Sequence, residues 1–466
     1  MLLDSRSNAE AREMSTSFEI AADLHTPVSA FLRLQPMAPR YLLETVESGL
    51  QGRYSFIGFG EATEVEVRPD GVYRGDDHVS PDYLDGLRKV TRDGSAPFPP
   101  SDGGGFSGGL VGAAGFDMVR GLSRLDPSPF SPPRSVASYV ITESVLVFDH
   151  LTRRIGVFHA SETAHRDVLD EVNGLLRRPL AIEERTGSFQ TPAATMRQNE
   201  YVNKVATAQA HIAAGDVYQL VLSIGFSGET DLDPFAVYRA LRSVNPSPYM
   251  YFLDVGGRQI VGSSPEALAK LDGRNAQIWP IAGTRPRGAT TEEDFRLEQE
   301  LLADPKEAAE HVMLVDLARN DLGRSATAGS VKVAPFRAIE RYSHVMHMVT
   351  GVTGELRPDL DAFDLFASTF PAGTVVGAPK RAAIELIDQL EPAPRDLYSG
   401  AVGWFGRDGG MDQAITIRTA VFEEGRYSFQ AGAGIVADSD PESEYEEVLS
   451  KGAALRSALA TAAEGI

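Results

Sequence analysis

No cysteine occurs among the 466 residues. That absence removes disulfides, a thiolate nucleophile and Cys-ligated zinc together. Basic charge is also scarce, since 44 Lys and Arg face 65 Asp and Glu, for a formal net charge of -21. Nucleic-acid binding draws most of its affinity from clustered Lys and Arg, so the balance argues against a nucleic-acid partner and for a small polar ligand. No apolar run is long enough to span a bilayer. The opening "MLLDSRSNAEAREM" is charged from its fourth residue and lacks an apolar core for export. The expectation is a soluble, cytoplasmic protein with no membrane partner. There is no internal repeat and no low-complexity tract.

What remains is ordinary globular text, 42% hydrophobic and 23% charged, in a chain too long for one simple core. Residues 1 to about 92 carry short alternating segments such as "RYSFIGFG" and "TEVEVRPDGVYRG", which read as strands joined by Gly and Asp turns. The stretch "DGSAPFPPSDGGGFSGG" breaks all periodicity and reads as a loop. Strand-like text resumes in "SYVITESVLVFDHLTRRIGVFHA", and a helix is expected over 161–176. The polar segment "RPLAIEERTGSFQTPAAT" is the best boundary, dividing a strand-rich region, 1–190, from a second domain, 191–466. Beyond it, helices are expected at 198–214, 234–244, 291–320, 362–370, 380–390 and 442–460. Strands are expected at 218–226, 249–255, 267–271, 331–334, 400–405, 412–422 and 426–431. Several strands follow one another with no helix between, so the fold class is α+β with large, mostly antiparallel sheets.

Glu307 and Glu310 lie three apart in "DPKEAAEHVMLVDLARND", and so do Glu444 and Glu447 in "PESEYEEVLSK". At that spacing two carboxylates share a helix face. A solvated face is the plain reading of one such helix. Two of them, each running into apolar turns, suggest buried carboxylates, and four hard oxygen donors favour Mg²⁺ over zinc. "GAG" at 432–434 is either a nest of backbone N–H groups for an anion or a bulge. "GTVVGAPK" evokes a phosphate loop at the wrong spacing. In "WPIAGTRPRG", Gly283 and Thr284 beside two arginines suit an anion, or form a plain surface turn. His347 in "YSHVMHMV" is a base or a satisfied core histidine.

The blocks "LLETVESGLQGRYSFIG", "GDVYQLVLS", "NPSPYMYFLDVGGRQIVGSSPE", "PIAGTRPRG", "EHVMLVDLARNDLGR", "YSHVMHMVTG", "FPAGTVVGAPK", "YSGAVGWF", "AITIRTA" and "AGAGIVADSDPESEYEEVLSK" run in one order from about residue 42 to 452. Together they resemble the chorismate-utilising enzymes, and within them the large subunit of anthranilate synthase. The resemblance implies a two-layer core of sheets flanked by helices and the substrate chorismate, which carries two carboxylates. It implies Mg²⁺ held by Glu310 and Glu447, with Glu307 and Glu444 in support. An ion there would let an acidic wall receive an anion. The resemblance further places Gly283, Thr284, Thr374, Tyr398, Arg418, Ala433, Gly434 and Lys451 around the substrate.

It also separates the chemistries within the family. Water-using relatives carry a lysine base where this chain has Gln219, which cannot take a proton from water, so ammonia becomes the expected attacker. Aminodeoxychorismate synthases read "PIKGT" with a nucleophilic lysine, replaced here by Ala282. Ammonia would add at C2 of the ring as the C4 hydroxyl leaves with a proton from Glu266, an acid that needs a raised pKa. His347 matches the position associated with pyruvate elimination. With no cysteine to hydrolyse glutamine, ammonia would come from a separate glutamine amidotransferase subunit. Tryptophan inhibition is implied at Thr45, Asn245, Pro248, Tyr249 and Met250, with Thr45 standing where inhibited relatives carry serine; its extra methyl crowds that site. Val376, where many relatives carry serine, and "KRAA" depart from the pattern. Release of the aminated intermediate, a 4-amino-4-deoxychorismate synthase and a catalytically silent regulatory subunit remain as alternatives.

Overall fold

In a computed structural model of the chain, residues 20–45, 53–93, 106, 108–180, 186–341 and 345–465 are described. Most of the expected Pro- and Gly-rich loop, part of the expected boundary near 180 and the first three residues of "YSHVMHMV" lie outside them.

Every strand pairing in the described sheets is antiparallel. One continuous network joins 21 strands, and a separate three-stranded sheet carries Ile281–Pro286, Val345–Val349 and Ala338–Arg341. Because successive strand residues point to opposite faces, the large network buries two cores. Leu42, Ile57, Phe252 and Val261 enter one of them. Their chain neighbours Tyr41, Phe56, Tyr251 and Ile260 enter the other. The two layers are therefore written in the alternation of the strands, as the α+β reading requires. Strands from both sides of residue 190 share ladders: Tyr41–Glu44 pairs with Tyr249–Val255, and Gly109–Ala114 with Ala401–Gly406. No helix of the described residues is long and apolar enough to cross a membrane.

Helices Gln198–Ala214, Pro234–Val244 and Lys380–Leu390 keep the expected bounds. Three elements read as continuous are broken, each for a local reason. The expected helix 291–320 is two, Thr291–Ala303 and Pro305–Gly323. A residue before proline avoids the helical region, so Asp304 is extended (ψ 114°) and caps the next helix through the amides of Lys306 and Glu307. The expected helix 442–460 divides at Gly452 into Pro441–Lys451 and Ala453–Glu464. The expected strand 412–422 divides into Met411–Ile415 and Thr419–Glu423, because Arg418 between them has φ 49°, a left-handed conformation rare outside glycine. Strands Arg258–Ser264, Ile281–Pro286 and Val345–Val349 are additional to the sequence reading, and 331–334 shrinks to Lys332–Val333.

Candidate active site

Arg418, at the break, lies close enough to Glu266 for each to act on the other's charge. Burial lowers the Arg418 pKa while Glu266 pulls it back up. Glu266 follows the strand Arg258–Ser264, and burial raises its carboxyl to about 7. Thr374, Lys451 and Arg418 each oppose that rise. The buried Thr374 hydroxyl, near that carboxyl, completes no hydrogen bond among the described residues. A carboxyl so placed holds its proton near neutrality and can give it away.

On the adjoining wall, Gln219 opens the strand Gln219–Glu229, which pairs with Arg426–Ile435 so that Val221 lies opposite Gly434. A Cβ on Gly434 would stand 2.7 Å from Gln219 Nε2, so the glycine is what lets the amide lie there. Gln219 Oε1 is buried without a hydrogen-bond partner among the described residues. Lys451 Nζ reaches the Gly432 carbonyl at 3.1 Å and Glu447 Oε1 at 2.7 Å. Tyr398 closes this side: its hydroxyl would lie 2.5 Å from a Cβ on Gly432, and burial pushes its pKa up to about 12. Ala433, between the two glycines, is wholly buried.

His347 sits on the small sheet. Its Nδ1 lies 3.0 Å from Thr284 Oγ1 and 3.2 Å from the Gly283 carbonyl. The register slips between Ala282 and Thr284, and Gly283 at the slip has φ 68°. An Nδ1–H donated to that carbonyl places the imidazole lone pair on Nε2. Burial lowers the His347 pKa, the Gly283 bond opposes it and Arg418 lowers it further, which favours a neutral ring at pH 7. Thr284 and Gly283 thus serve the histidine in this structure.

The acidic helices face this same space. Burial raises the Glu310 pKa, and Glu307 and then Glu447 raise it further. Glu444 is raised by burial, lowered by Ser439 and raised again by Glu447. Four carboxylates from two helices are therefore close enough to repel one another. Arg285 answers part of this charge, with Nη1 3.2 Å from Glu307 Oε1 and Nη2 2.9 Å from Asp304 Oδ2. Glu310 has no ion pair among the described residues. No group of three or more His, Asp or Glu among the described residues converges closely enough to enclose a metal by itself.

The expected inhibitor residues are split. Thr45, Tyr249 and Met250 line a hollow of about 60 Å³ with Phe56 and Trp404. Asn245 and Pro248 do not line it, and Asn245 Nδ2 instead donates to Ser263 Oγ at 2.9 Å. Two buried ion pairs near the site escaped the sequence reading. Lys380 ends "GTVVGAPK" not on a phosphate but on Asp321 Oδ2, 2.8 Å away. Arg395 pairs with Glu391 at 2.6 Å. Partners 59 and 4 positions away leave no spacing that marks them as charged core.

A model of the chorismate binding enzymes matches residues 39–457. Anthranilate synthase component 1 of Thermus thermophilus is 44% identical over 459 residues, covering 96% of this chain and 97% of the relative. That of Acetivibrio thermocellus is 41% identical over 477 residues, covering 96% and 95%. A crystal structure of anthranilate synthase component I from Streptococcus pneumoniae superposes with a TM-score of 0.77 at 34% identity, covering 94% of this chain and 98% of that one. These matches span nearly the whole molecule, both glutamate-bearing helices included. The chain belongs to the family of chorismate binding enzymes.

Proposed function

We propose that this chain is the chorismate-aminating component of an anthranilate synthase, acting in tryptophan biosynthesis and taking ammonia from a glutamine amidotransferase subunit. The observation that carries the reading is the pairing of a proton-holding Glu266 with a neutral His347 across Arg418, in a site where Gln219 stands in place of a water-activating base. The name component 1 borne by its relatives fits a second component, and a chain without cysteine has no thiol for glutamine hydrolysis.

Arg418, Lys451, Tyr398 and the amides around Gly434 hold the carboxylates of the substrate. Ammonia, nucleophilic as the free base, forms a bond to C2 while the C4–O bond breaks, and Glu266 protonates the departing hydroxyl, which leaves as water. The neutral His347 then removes the C2 proton, the C3–O bond to the enolpyruvyl group breaks, the released enolpyruvate takes up a proton and leaves as pyruvate, and the ring becomes aromatic. Glutamine at 219 has no basicity to activate water, which keeps hydrolysis from competing.

The acidic wall fits Mg²⁺. Glu310 is destabilised as an anion and has no ion pair among the described residues, and Mg²⁺ characteristically takes one or two carboxylates and fills its shell with water and substrate oxygens. Glu310 and Glu447 would hold it, with Glu307 and Glu444 behind them. When bound, the ion supplies positive charge that lets a carboxylate of the substrate approach a wall of glutamates. Tryptophan, if it inhibits, would use the hollow beside Thr45, Tyr249 and Met250.

The test is incubation of the purified chain with chorismate, Mg²⁺ and ammonium at alkaline pH, following anthranilate fluorescence and identifying products by mass spectrometry. Anthranilate and pyruvate are expected with ammonium and not with glutamine alone. Accumulation of 2-amino-2-deoxyisochorismate, or of 4-amino-4-deoxychorismate, would replace this reading with another. Titrating tryptophan into the same assay examines the inhibitor site.

A further inference from the structure

Three walls of the candidate site come from distant parts of the chain. The strand Gln219–Glu229 supplies Gln219, the turn at 373–375 supplies Thr374, and the loop after Glu391 supplies Tyr398. One side chain touches all three. Arg395, 3% exposed, donates from Nη1 to the Val375 carbonyl (2.8 Å) and to Ser399 Oγ (3.1 Å), and from Nη2 to the Val221 carbonyl (2.8 Å). Its remaining hydrogen bonds go to Glu391, from Nε at 2.9 Å and from Nη2 at 2.6 Å. Glu391, itself 5% exposed, accepts from the amide and hydroxyl of Ser223 at 2.9 and 2.7 Å. The rings of Phe116 and Tyr398 cover the guanidinium at 5.1 and 5.4 Å.

The partners of Arg395 are neighbours of the chemistry without being part of it. Val375 follows Thr374, Ser399 follows Tyr398, and Val221 lies opposite Gly434 and two residues from Gln219. Ser399 stands at φ 64°, a conformation that needs support from its surroundings, and its hydroxyl also donates to the Val375 carbonyl at 3.2 Å. A buried ion pair adds little net stability compared with an apolar pair of the same volume, so stability alone is a poor reason to place one here. A planar fork that fixes several acceptors in one geometry is a good one.

We infer that Arg395, held by Glu391, is a positioning residue that locks the Thr374 turn, the Tyr398 loop and the Gln219 strand in one mutual arrangement. The inference rests on the reading of the site as the place of chorismate amination. Lysine at 395 keeps a charge opposite Glu391 and loses the fork, so Arg395→Lys separates positioning from charge. Its amides at 219–223, 373–376 and 397–400 are expected to exchange hydrogen faster, with the rest of the chain unchanged. Its kcat is expected to fall about a hundredfold, the scale of a misplacement near 1 Å. Unchanged exchange in those three segments, or an increase spread evenly over the molecule, overturns the inference. Should the lysine variant not fold, Arg395→Met with Glu391→Leu fills the same space without charge. That pair is expected to melt near the parent temperature, exchange rapidly in the three segments and lose activity; slow exchange there refutes the role. A parent protein that makes no anthranilate sinks the functional reading, while hydrogen exchange still judges the positioning.

Discussion

Glu266 shows how a single residue couples stability to chemistry. Burial raises its pKa from the usual 4.5 to about 7, so the folded protein keeps a proton that the unfolded chain has released. Between those values the native state binds more protons, and stability falls as pH rises. Its contribution is therefore complete at low pH and lost through about 7. Glu266→Gln should melt above the parent at pH 8 and lose that advantage near pH 4, in thermal scans across the range. The same variant should lose about 10²–10⁴ in kcat, because glutamine has no proton to give. His347→Met should leave amination intact and accumulate the aminated intermediate, read by mass spectrometry; unchanged anthranilate output would refute a role as base. Both residues were legible through their blocks, "NPSPYMYFLDVGGRQIVGSSPE" and "YSHVMHMVTG". Their protonation was not, since it follows chiefly from burial by distant parts of the chain, with Arg418 acting on both residues.

Among the elements, the two acidic helices carry the cation argument. The spacing of Glu307 and Glu310, and of Glu444 and Glu447, shows that each pair shares a face. It cannot show that the faces oppose each other, which the contribution of Glu447 to the raised Glu310 pKa now supports. Millimolar Mg²⁺ should raise the melting temperature of the parent through binding to the native state, and should not raise that of Glu310→Gln. Without metal, Glu310→Gln should melt at or above the parent, because it removes a negative charge that Glu307 and Glu447 repel. Equal Mg²⁺ shifts in both proteins would exclude Glu310 as a ligand. Asp304-Pro305 is an element boundary that was visible in the text as a cap followed by proline, yet periodicity ran through it. The strand break at Arg418 had no such mark, for nothing local calls for a positive φ at arginine.

At the scale of the molecule, the ladders joining Tyr41–Glu44 to Tyr249–Val255 and Gly109–Ala114 to Ala401–Gly406 tie residues before 190 to those after it. The 1–190 and 191–466 regions are thus expected to unfold in one cooperative transition, since separating them would bare long strand edges. Two resolved calorimetric transitions would contradict this. The hollow near Thr45 lies on this seam, lined by Leu43 and Phe56 from one side and Tyr249 and Trp404 from the other. A ligand entering it would act on the joint between the halves.

Local chemistry settled much before any folding was considered: the missing thiol, the antiparallel alternation, the paired glutamates, and the blocks that name the family. Those are properties of residues and their near neighbours, which spacing preserves. The proton on Glu266, the neutral His347 and the Arg395 clamp arise only where segments tens to more than a hundred positions apart desolvate and contact one another. Charge states and hydrogen-bond partners are set by that environment, so they came into view with the packed molecule.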